Sequence, residues 1–419
     1  MERDKKIYLD YAATTPVDPA VWRAMKPYFA ERFGNPGSLH SFGQEAIAAV
    51  DRSRETVAKA IGADFREVIF TGSATEANNL ALRGVASGFS RMKSGSPRMI
   101  ISSIEHESVF GTAHDLGRSG VEVVYLPVDQ RGTVDLKKLK ESLNERTILI
   151  SIMYANNEIG VIEPIKEIAA IIKEFRGKEE FPIVHTDASQ AFQFLDCDVK
   201  NLGIDLMTLS AHKIYGPKGI GALYVGNKER GTANKEGDSL VPVPFSLSPI
   251  LTGGGQEFGF RSGTENVPAI VGFAKATELL LANSRELANK KIAALRGRLW
   301  KGIKKAYPKA ELNGISEKEI HSPFSILHSP FLPNILNVYF PGCEAQDLLT
   351  KFDLGGLAVS SGSACRSRAM ESSYVIEALN QRRATGNGKR ARSSIRFSLG
   401  RPTTKREIDT AIKAIESCL

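Results

Sequence analysis

The sequence contains no apolar run approaching the roughly 18–20 residues that a membrane-spanning helix needs. Residues 1–16 also lack the apolar core of a secretory signal peptide, and the acidic residues Glu2, Asp4 and Asp10 are not typical of an organelle transit peptide. We therefore expect a cytoplasmic protein that does not enter the membrane.

Cysteine is scarce. The chain has four, Cys197, Cys343, Cys365 and Cys418, and no two of them form a C-x-x-C pair. This spacing predicts neither a zinc site nor a disulfide framework, so we expect no resident metal. Cys197 and Cys343 are expected to be small buried apolar residues. At most one or two of the four should therefore have a chemical role.

Charge of one sign is not in large excess either. The 55 Lys and Arg against 47 Asp and Glu give a net charge of +8, which is mild for 419 residues. It does not indicate a nucleic-acid-binding protein, and we expect no direct binding of nucleic acid. A hydrophobic content of 42% is ordinary for a globular protein, and the length is enough for two domains.

Short apolar runs alternate with helical patterns from about residue 50 to 226. Seven of these runs read as strands: 67–71, 98–103, 121–126, 147–153, 182–187, 206–210 and 221–225. Continuous apolar strands separated by helices predict an α/β fold, with a mainly parallel seven-stranded sheet covered by helices on both faces.

The pattern changes after residue 226. Residues 226–249 are rich in Gly, Pro, Ser and charge and predict an exposed insertion. A helical pattern then runs from 267 to 306, and shorter strands at 334–339 and 394–399 follow among helices. We therefore predict a large cofactor-binding domain at 16–265. A smaller α+β domain, formed by 1–15 and 266–419, would carry the loop around Cys365.

Two polar residues lie at the carboxyl ends of predicted strands, where ligands gather in α/β proteins. Lys213 lies just after one strand and could form a Schiff base, although a solvated surface lysine explains it better when taken alone. Asp187 ends the preceding strand and could keep a pyridine nitrogen protonated, or it could simply cap a helix. One strand–helix–strand unit separates them, so each favours a functional interpretation of the other.

Two further segments carry chemically suggestive residues. Small residues at 71–76 would let backbone N–H groups approach an anion, with the Thr75 hydroxyl beside them. A capping box with Ser73 or Thr75 as the cap is the alternative. Cys365 lies among Ser, Gly and Ala residues, as expected of an exposed loop, and nearby Arg366 and Arg368 would lower the pKa of its thiol.

Seven motifs occur in an order that resembles a known family. They are YLDYAATTP at 8–16, FGNP at 33–36, NNEIG at 156–160, SAHKIYGPKG at 210–219, RSGT at 261–264, SSGSAC at 360–365 and SIRFSLG at 394–400. Together they closely resemble the cysteine desulfurases, in the class V aminotransferase group of fold-type I pyridoxal-phosphate enzymes. The resemblance covers nearly the whole chain.

That resemblance implies a role for each matching residue. Lys213 would form the Schiff base with pyridoxal 5′-phosphate (PLP), and His106 would stack on the cofactor ring and assist proton transfer. Thr264 would reach the phosphate in the neighbouring subunit, which implies a homodimer. Asn35 and Arg396 would bind the substrate carboxylate, with Asn157 beside them. The cofactor contacts within one subunit would come from Ala74, Thr75, His106, Asn157, Asp187, Gln190, Ser210, His212 and Lys213.

The implied reaction converts L-cysteine to L-alanine and leaves the sulfur as a persulfide on Cys365. A sulfur-acceptor protein would then receive it, for iron–sulfur cluster assembly or for tRNA or cofactor thiolation. Cys365 could also be a transient iron–sulfur ligand. Selenocysteine lyase on the same scaffold and a cofactor-free interaction protein are the alternatives. The basic segment 381–392 could dock an acidic scaffold protein or RNA, or could be a solvated loop.

Overall fold

The strands of this protein form one large sheet and two small ones. The structure, a computed structural model, describes residues 6–92, 95–226, 247–321, 329–362, 372–380 and 388–419. The strands within these ranges are β1 (Ile7–Tyr8), β2 (Val68–Thr71), β3 (Arg98–Ser102), β4 (Glu122–Leu126), β5 (Thr147–Ser151), β6 (Ile183–Asp187), β7 (Leu206–Ser210), β8 (Gly221–Val225), β9 (Glu311–Leu312), β10 (Ile335–Tyr339), β11 (Leu357–Ala358) and β12 (Ser394–Ser398).

Helices cover these sheets. Those in the described ranges are α1 (Pro19–Met25), α2 (Pro27–Ala30), α3 (Ser41–Ala60), α4 (Ala74–Met92), α5 (Glu107–Arg118), α6 (Leu136–Ser142), α7 (Ile165–Arg176), α8 (Val199–Leu202), α9 (Val267–Ala282), α10 (Arg285–Ala306), α11 (Glu317–His321), α12 (Ala345–Leu354), α13 (Tyr374–Asn380), α14 (Lys389–Arg392) and α15 (Lys405–Cys418). No helix within these ranges is both long and apolar enough to cross a membrane.

The large sheet has seven strands in the order β2-β8-β7-β6-β5-β3-β4. Only β8 among them runs antiparallel to its neighbours, β2 and β7. The predicted α/β fold with a mainly parallel seven-stranded sheet is therefore confirmed. The carboxyl ends of β5, β6 and β7 consequently lie at one edge, and the residues that follow these strands meet there.

Alternate side chains of each strand point to opposite faces of this sheet. Ile69 and Ile101 pack in a cluster with the apolar residues of α4 and α5. Phe70 and Ile100 belong instead to the larger core, which includes α3 and α7. Both faces are buried, and this explains why the strands read as continuous apolar runs in the sequence.

Both ends of the chain contribute to the smaller sheets. Strand β1 pairs in parallel with β11, and β10 pairs antiparallel with β9 and β12. This is the predicted α+β region. Helix α9 packs against α1 and α3, whereas α10 packs against α15. The division of the chain near residue 266 stays a prediction.

The single helix predicted over 267–306 is wrong, because two helices occupy this stretch. Asn283 leaves the helical conformation with an extended backbone, and Ser284 starts the second helix. The Ser284 hydroxyl accepts a hydrogen bond from the backbone N–H of Leu287 at 3.3 Å. The polar residues Asn283 and Ser284 thus end one helix and start the next, although the helical pattern of apolar residues continues across them.

The basic segment 381–392 is described only from residue 388, and residues 227–246 of the insertion predicted at 226–249 lie outside the described residues. Arg390 is not a solvated side chain. Its guanidinium donates to the Asn313 side chain at 2.6 Å and to the Leu312 carbonyl at 2.9 Å, and it lies 4.6 Å from the Tyr339 ring centroid. Arg390 therefore links α14 to β9 and β10.

The two cysteines expected to be buried, Cys197 and Cys343, differ in how far they are buried. Cys197 is buried, and burial raises the pKa of its thiol to about 12, so it is chemically inert. Cys343 is only half-buried, with its sulfur 3.8 Å from the Tyr307 hydroxyl.

Glu163, in the part of the chain that connects β5 to α7, has a buried carboxyl group. Its Oε2 accepts a hydrogen bond from the backbone N–H of Val134 at 3.1 Å. Burial raises the pKa of Glu163 from 4.5 to about 8. The folded state therefore keeps this proton up to about pH 8, whereas the unfolded chain loses it near 4.5. Unfolding releases a proton in this window, so stability falls as the pH rises through it.

We expect Glu163→Gln to remove much of that pH dependence. Between about pH 5 and about pH 8, the wild-type free energy of unfolding should lose roughly 2–4 kcal/mol through this group, and the variant should lose less. Urea denaturation across the range measures the slope. Glu145→Gln, at an exposed carboxylate, should leave the slope unchanged. Equal slopes in wild type and Glu163→Gln would contradict the assignment.

Candidate active site

A cavity of about 200 Å³ lies at the carboxyl edge of the large sheet. Ten of the predicted site residues line it: Ala74, Thr75, His106, Asn157, Asp187, Gln190, Ser210, His212, Lys213 and Arg396. They come from strands, loops and the start of helix α4, far apart in the sequence, so the fold brings together most of the predicted set.

Asp187 is the last residue of β6 and is buried at the cavity wall. Its Oδ2 accepts a hydrogen bond from the Asn78 side chain at 2.8 Å, and its Oδ1 accepts one from the backbone N–H of Ser189 at 2.8 Å. The second bond is of the kind that a helix-capping aspartate makes, and helix capping was the alternative role that the sequence allowed for Asp187. Because both bonds are donated to it, Asp187 is held as an acceptor, the form that can receive a cationic N–H.

His106 is the N-cap residue of α5. Its Nδ1 accepts a hydrogen bond from the backbone N–H of Ser108 at 3.2 Å, and the Ser108 hydroxyl lies 2.9 Å away. A backbone N–H can only donate, so the neutral ring carries its proton on Nε2. Burial lowers the pKa of His106, and nearby Lys213 adds to this effect while Asp187 opposes it. The ring is therefore neutral at physiological pH.

Lys213 follows β7 in a short 3-10 turn, residues 211–213. Its ammonium group donates to the carbonyl oxygens of Ala12 and Ala13, the latter at 2.9 Å. The Gln190 side chain donates to the same Ala12 carbonyl at 2.8 Å. Lys213 is therefore aimed into the cavity and anchored there, unlike the solvated surface lysine that was the alternative.

The start of helix α4 forms the anion-binding end of the cavity. The Ser73 hydroxyl accepts a hydrogen bond from the backbone N–H of Glu76 at 3.1 Å, so Ser73 acts as the cap. Ala74 and Thr75 remain at the cavity. Behind them, a Cβ atom on Gly221 would lie 2.7 Å from the Ala74 nitrogen, so only glycine fits there. The positive end of the helix dipole faces the cavity.

Ser210 and His212 lie beside this helix end. The Ser210 Oγ is buried and has no hydrogen-bond partner among the described residues. Such an atom is costly unless a ligand bonds it. Burial and the charge of Lys213 lower the pKa of His212 to about 3, so this ring is neutral, and its Nδ1 lies 3.1 Å from the Thr14 hydroxyl.

Arg396 on β12 is buried and also lines the cavity. Its Nη2 donates to Asp10 Oδ1 at 2.7 Å, and its Nη1 donates to the Asn157 carbonyl at 2.9 Å. The Nε is buried and has no partner within the described part of the chain. A guanidinium group has five N–H donors, so donors remain for an incoming carboxylate.

Two predicted site residues, Asn35 and Thr264, are not among those that line this cavity, and a third, Cys365, is not described. Asn35 is exposed, and its side chain accepts a hydrogen bond from the Gly37 backbone N–H at 2.9 Å. Thr264 is exposed and borders a separate pocket with Arg261. Cys365 lies outside the described residues. The roles assigned to all three stay predictions.

Sequence reasoning missed the residues that hold the site in place. Asn78 and Ser108 position Asp187 and His106, and Asp10 pairs with Arg396. Asn78 could have been predicted from the sequence, because it lies three residues after Thr75 and residues three apart share a helix face. No local pattern pairs Asp10 with Arg396.

The cavity thus joins an anion-binding helix end, an amine, a buried carboxylate and a guanidinium group. Residues 7–410 match the family model of the class V aminotransferases. This chain belongs to the class V aminotransferase family. The chain is also similar to individual proteins over almost its full length. The cysteine desulfurase IscS of Clostridium botulinum is 40% identical to it over 412 residues, which cover 98% of this chain and 94% of the IscS chain.

Solved structures are also similar to this chain. A NifS-like protein superposes with a TM-score of 0.82 at 34% identity, covering 98% of both chains. SspA, solved in complex with cysteine, superposes with a TM-score of 0.74 at 33% identity, covering 94% of this chain and 98% of its own. The resemblance to the cysteine desulfurases, first drawn from seven short motifs, is confirmed.

Proposed function

We propose that this protein is a PLP-dependent cysteine desulfurase. One observation carries the proposal. An anchored amine (Lys213), a buried carboxylate (Asp187) and a helix end beside the orphaned Ser210 hydroxyl border a single cavity. This is the arrangement that a phosphorylated pyridine aldehyde requires. The chain is also similar over almost its whole length to an enzyme named as a cysteine desulfurase.

The residues present fit PLP. The buried hydroxyls of Ser189 and Ser210 border the cavity without partners among the described residues, so a bound molecule would satisfy them. The N-terminus of α4 and Thr75 would hold the phosphate, and Asp187 would hold the pyridine N–H. When bound, PLP supplies an electron sink for the amino acid joined to it.

The protein's own residues would carry out the proton transfers and the sulfur transfer. Lys213 would hold the cofactor and then take the Cα proton of the substrate, and His106, with its proton on Nε2, would assist proton transfer. The Cys365 thiolate would attack the substrate sulfur: an S–S bond forms, the C–S bond breaks, and its electron pair stays with the substrate. In sum, one thiol and one L-cysteine give one persulfide and one L-alanine.

Arg396 would bind the substrate carboxylate. We expect Arg396→Lys, which keeps the charge but loses the fork of donors, to raise the KM for cysteine roughly 10- to 100-fold with a smaller change in kcat. Steady-state kinetics on the PLP-loaded enzyme measures both constants. Arg401→Lys, at a half-exposed arginine paired with Asp18, is the matched control. An unchanged KM would assign carboxylate binding to another group.

A homodimer is part of the proposal. Five large apolar side chains are exposed on the segment that carries Asn35: Trp22, Phe29, Phe33, Leu39 and Phe42. Trp22 and Phe29 contact each other, as do Phe33 and Phe42, so they form continuous apolar patches. A second subunit would cover them, and the exposed Thr264 would then reach the partner's phosphate.

The sulfur would pass to an acceptor protein of iron–sulfur assembly or of tRNA or cofactor thiolation, and we expect this to happen in the cytoplasm. Selenocysteine lyase is the second candidate, because the same residues would serve either substrate. Comparing kcat/KM for cysteine and selenocysteine separates the two.

Incubation of the PLP-loaded protein with L-cysteine tests the proposal. We expect equal amounts of alanine and enzyme-bound persulfide in a single turnover, with the added sulfur located at Cys365 by peptide mass spectrometry. Release of alanine without any persulfide, or no alanine at all, would overturn it.

A further inference from the structure

The two ends of the segment that contains Cys365 meet at one buried carboxylate. The Ser373 hydroxyl donates to Glu158 Oε2 at 2.6 Å. On the other side of residues 363–371, a Cβ atom on Gly362 would lie 2.9 Å from the same oxygen and 3.4 Å from the Ser373 Cβ. Glu158, Gly362 and Ser373 are all buried. A single glutamate therefore joins both ends of the segment.

Each end is also attached to the wall of the cavity. Ser360 exchanges backbone hydrogen bonds with Arg396, at 2.6 and 3.2 Å. The Tyr374 hydroxyl donates to the carbonyl of Glu105, the residue before His106. Glu158 itself follows Asn157 in the chain. The contacts that fix the two ends thus involve Arg396 itself and the direct neighbours of two other cavity residues.

Glu158 is held firmly enough to act as an anchor. Its backbone N–H donates to the Asn156 side chain at 2.8 Å, and its carbonyl accepts from the Asn337 side chain at 3.0 Å. Its hydrogen bond from Ser373 is buried, and removing one partner of a buried hydrogen bond is costly because the other is left unsatisfied. Gly362 has a φ of +91°, and any side chain there would strike the carboxylate, so this close approach requires glycine.

We propose that Glu158 is a positioning residue for sulfur transfer, acting through Gly362 and Ser373 on the placement of Cys365. The inference rests on the proposed desulfurase function. Glu158 is not among the residues that line the cavity. Weakening its contacts should therefore slow the attack on the substrate sulfur and spare the binding of cofactor and substrate, which the cavity residues perform.

The full-length PLP-loaded protein provides the test, with Ser373→Ala and Glu158→Gln as variants. Bound PLP and the Kd for cysteine, both followed by absorbance, should stay within about twofold of wild type. Single-turnover formation of the Cys365 persulfide should slow by roughly tenfold or more, as expected when one partner of a buried hydrogen bond is removed and the other is left unsatisfied. Ser372→Ala is the matched control, because that hydroxyl donates to Glu377 instead, and it should match wild type.

Two outcomes would overturn the inference. One is persulfide formation at the wild-type rate in Ser373→Ala and Glu158→Gln. The other is a loss of PLP or cysteine binding as large as the loss of persulfide formation, which would make Glu158 a support of the cavity. A wild-type protein that forms no persulfide would overturn the proposed function instead, so the wild-type reaction separates the two failures.

Discussion

Replacing Lys213 by alanine is expected to abolish alanine formation and to remove the covalent link between protein and cofactor. Lys213 is the amine held toward the cavity by the carbonyls of Ala12 and Ala13, and it shares that cavity with Asp187. Loss of a general base alone costs roughly 100- to 10,000-fold in rate. Borohydride treatment followed by peptide mapping should find the cofactor on Lys213 in the wild type and on no lysine in the variant.

Lys218→Ala is the matched control for that experiment. Lys218 is exposed in the same motif and lies outside the cavity, so its removal should leave both the label and the rate unchanged. A Lys213→Ala protein that still carries a borohydride-fixed cofactor would move the covalent link to another lysine and overturn the assignment.

The predicted strands agree with the structure, and most of the predicted site residues line one cavity, for a common physical reason. A strand buried on both faces is rich in apolar and β-branched residues, so β5, β6 and β7 are visible in the sequence itself. Parallel strands also end at one edge, so residues such as Asp187 and Lys213 can be placed together without knowing any contact.

The supporting contacts could not be predicted, because no local pattern encodes them. Asp10 and Arg396 are 386 residues apart and meet only because the two chain ends fold together. The buried pair of Arg54 and Glu257 is similar: two hydrogen bonds of 2.6 and 2.8 Å join residues 203 positions apart. Desolvated pairs like these depend on the whole tertiary arrangement.

The helix break at Asn283 shows a different limit. Its capping residues were visible in the sequence, but the apolar periodicity continues across them and favoured one long helix. Local chemistry and periodicity conflicted here, and the cap decided the structure.

The largest effect expected at any cysteine is that of Cys365→Ser. The variant should bind PLP and cysteine like the wild type, because none of the cavity residues changes. It should form no persulfide, and alanine release should fall on the order of a thousandfold or more, the range that loss of a nucleophile costs other enzymes. A serine hydroxyl cannot replace the thiolate, since it stays protonated at physiological pH and forms no stable bond to sulfur.

Two of the other cysteines, Cys343 and Cys418, serve as controls for this result. Cys343→Ser changes a half-buried thiol beside Tyr307, and Cys418→Ser changes one near the Lys351 carbonyl. Neither lies at the cavity, so both variants should keep the wild-type rate of alanine release and the persulfide on Cys365. If Cys365→Ser released alanine normally while one of these two did not, the sulfur acceptor would be that cysteine. In that case the contacts of Glu158 with Gly362 and Ser373 would have no part in sulfur transfer.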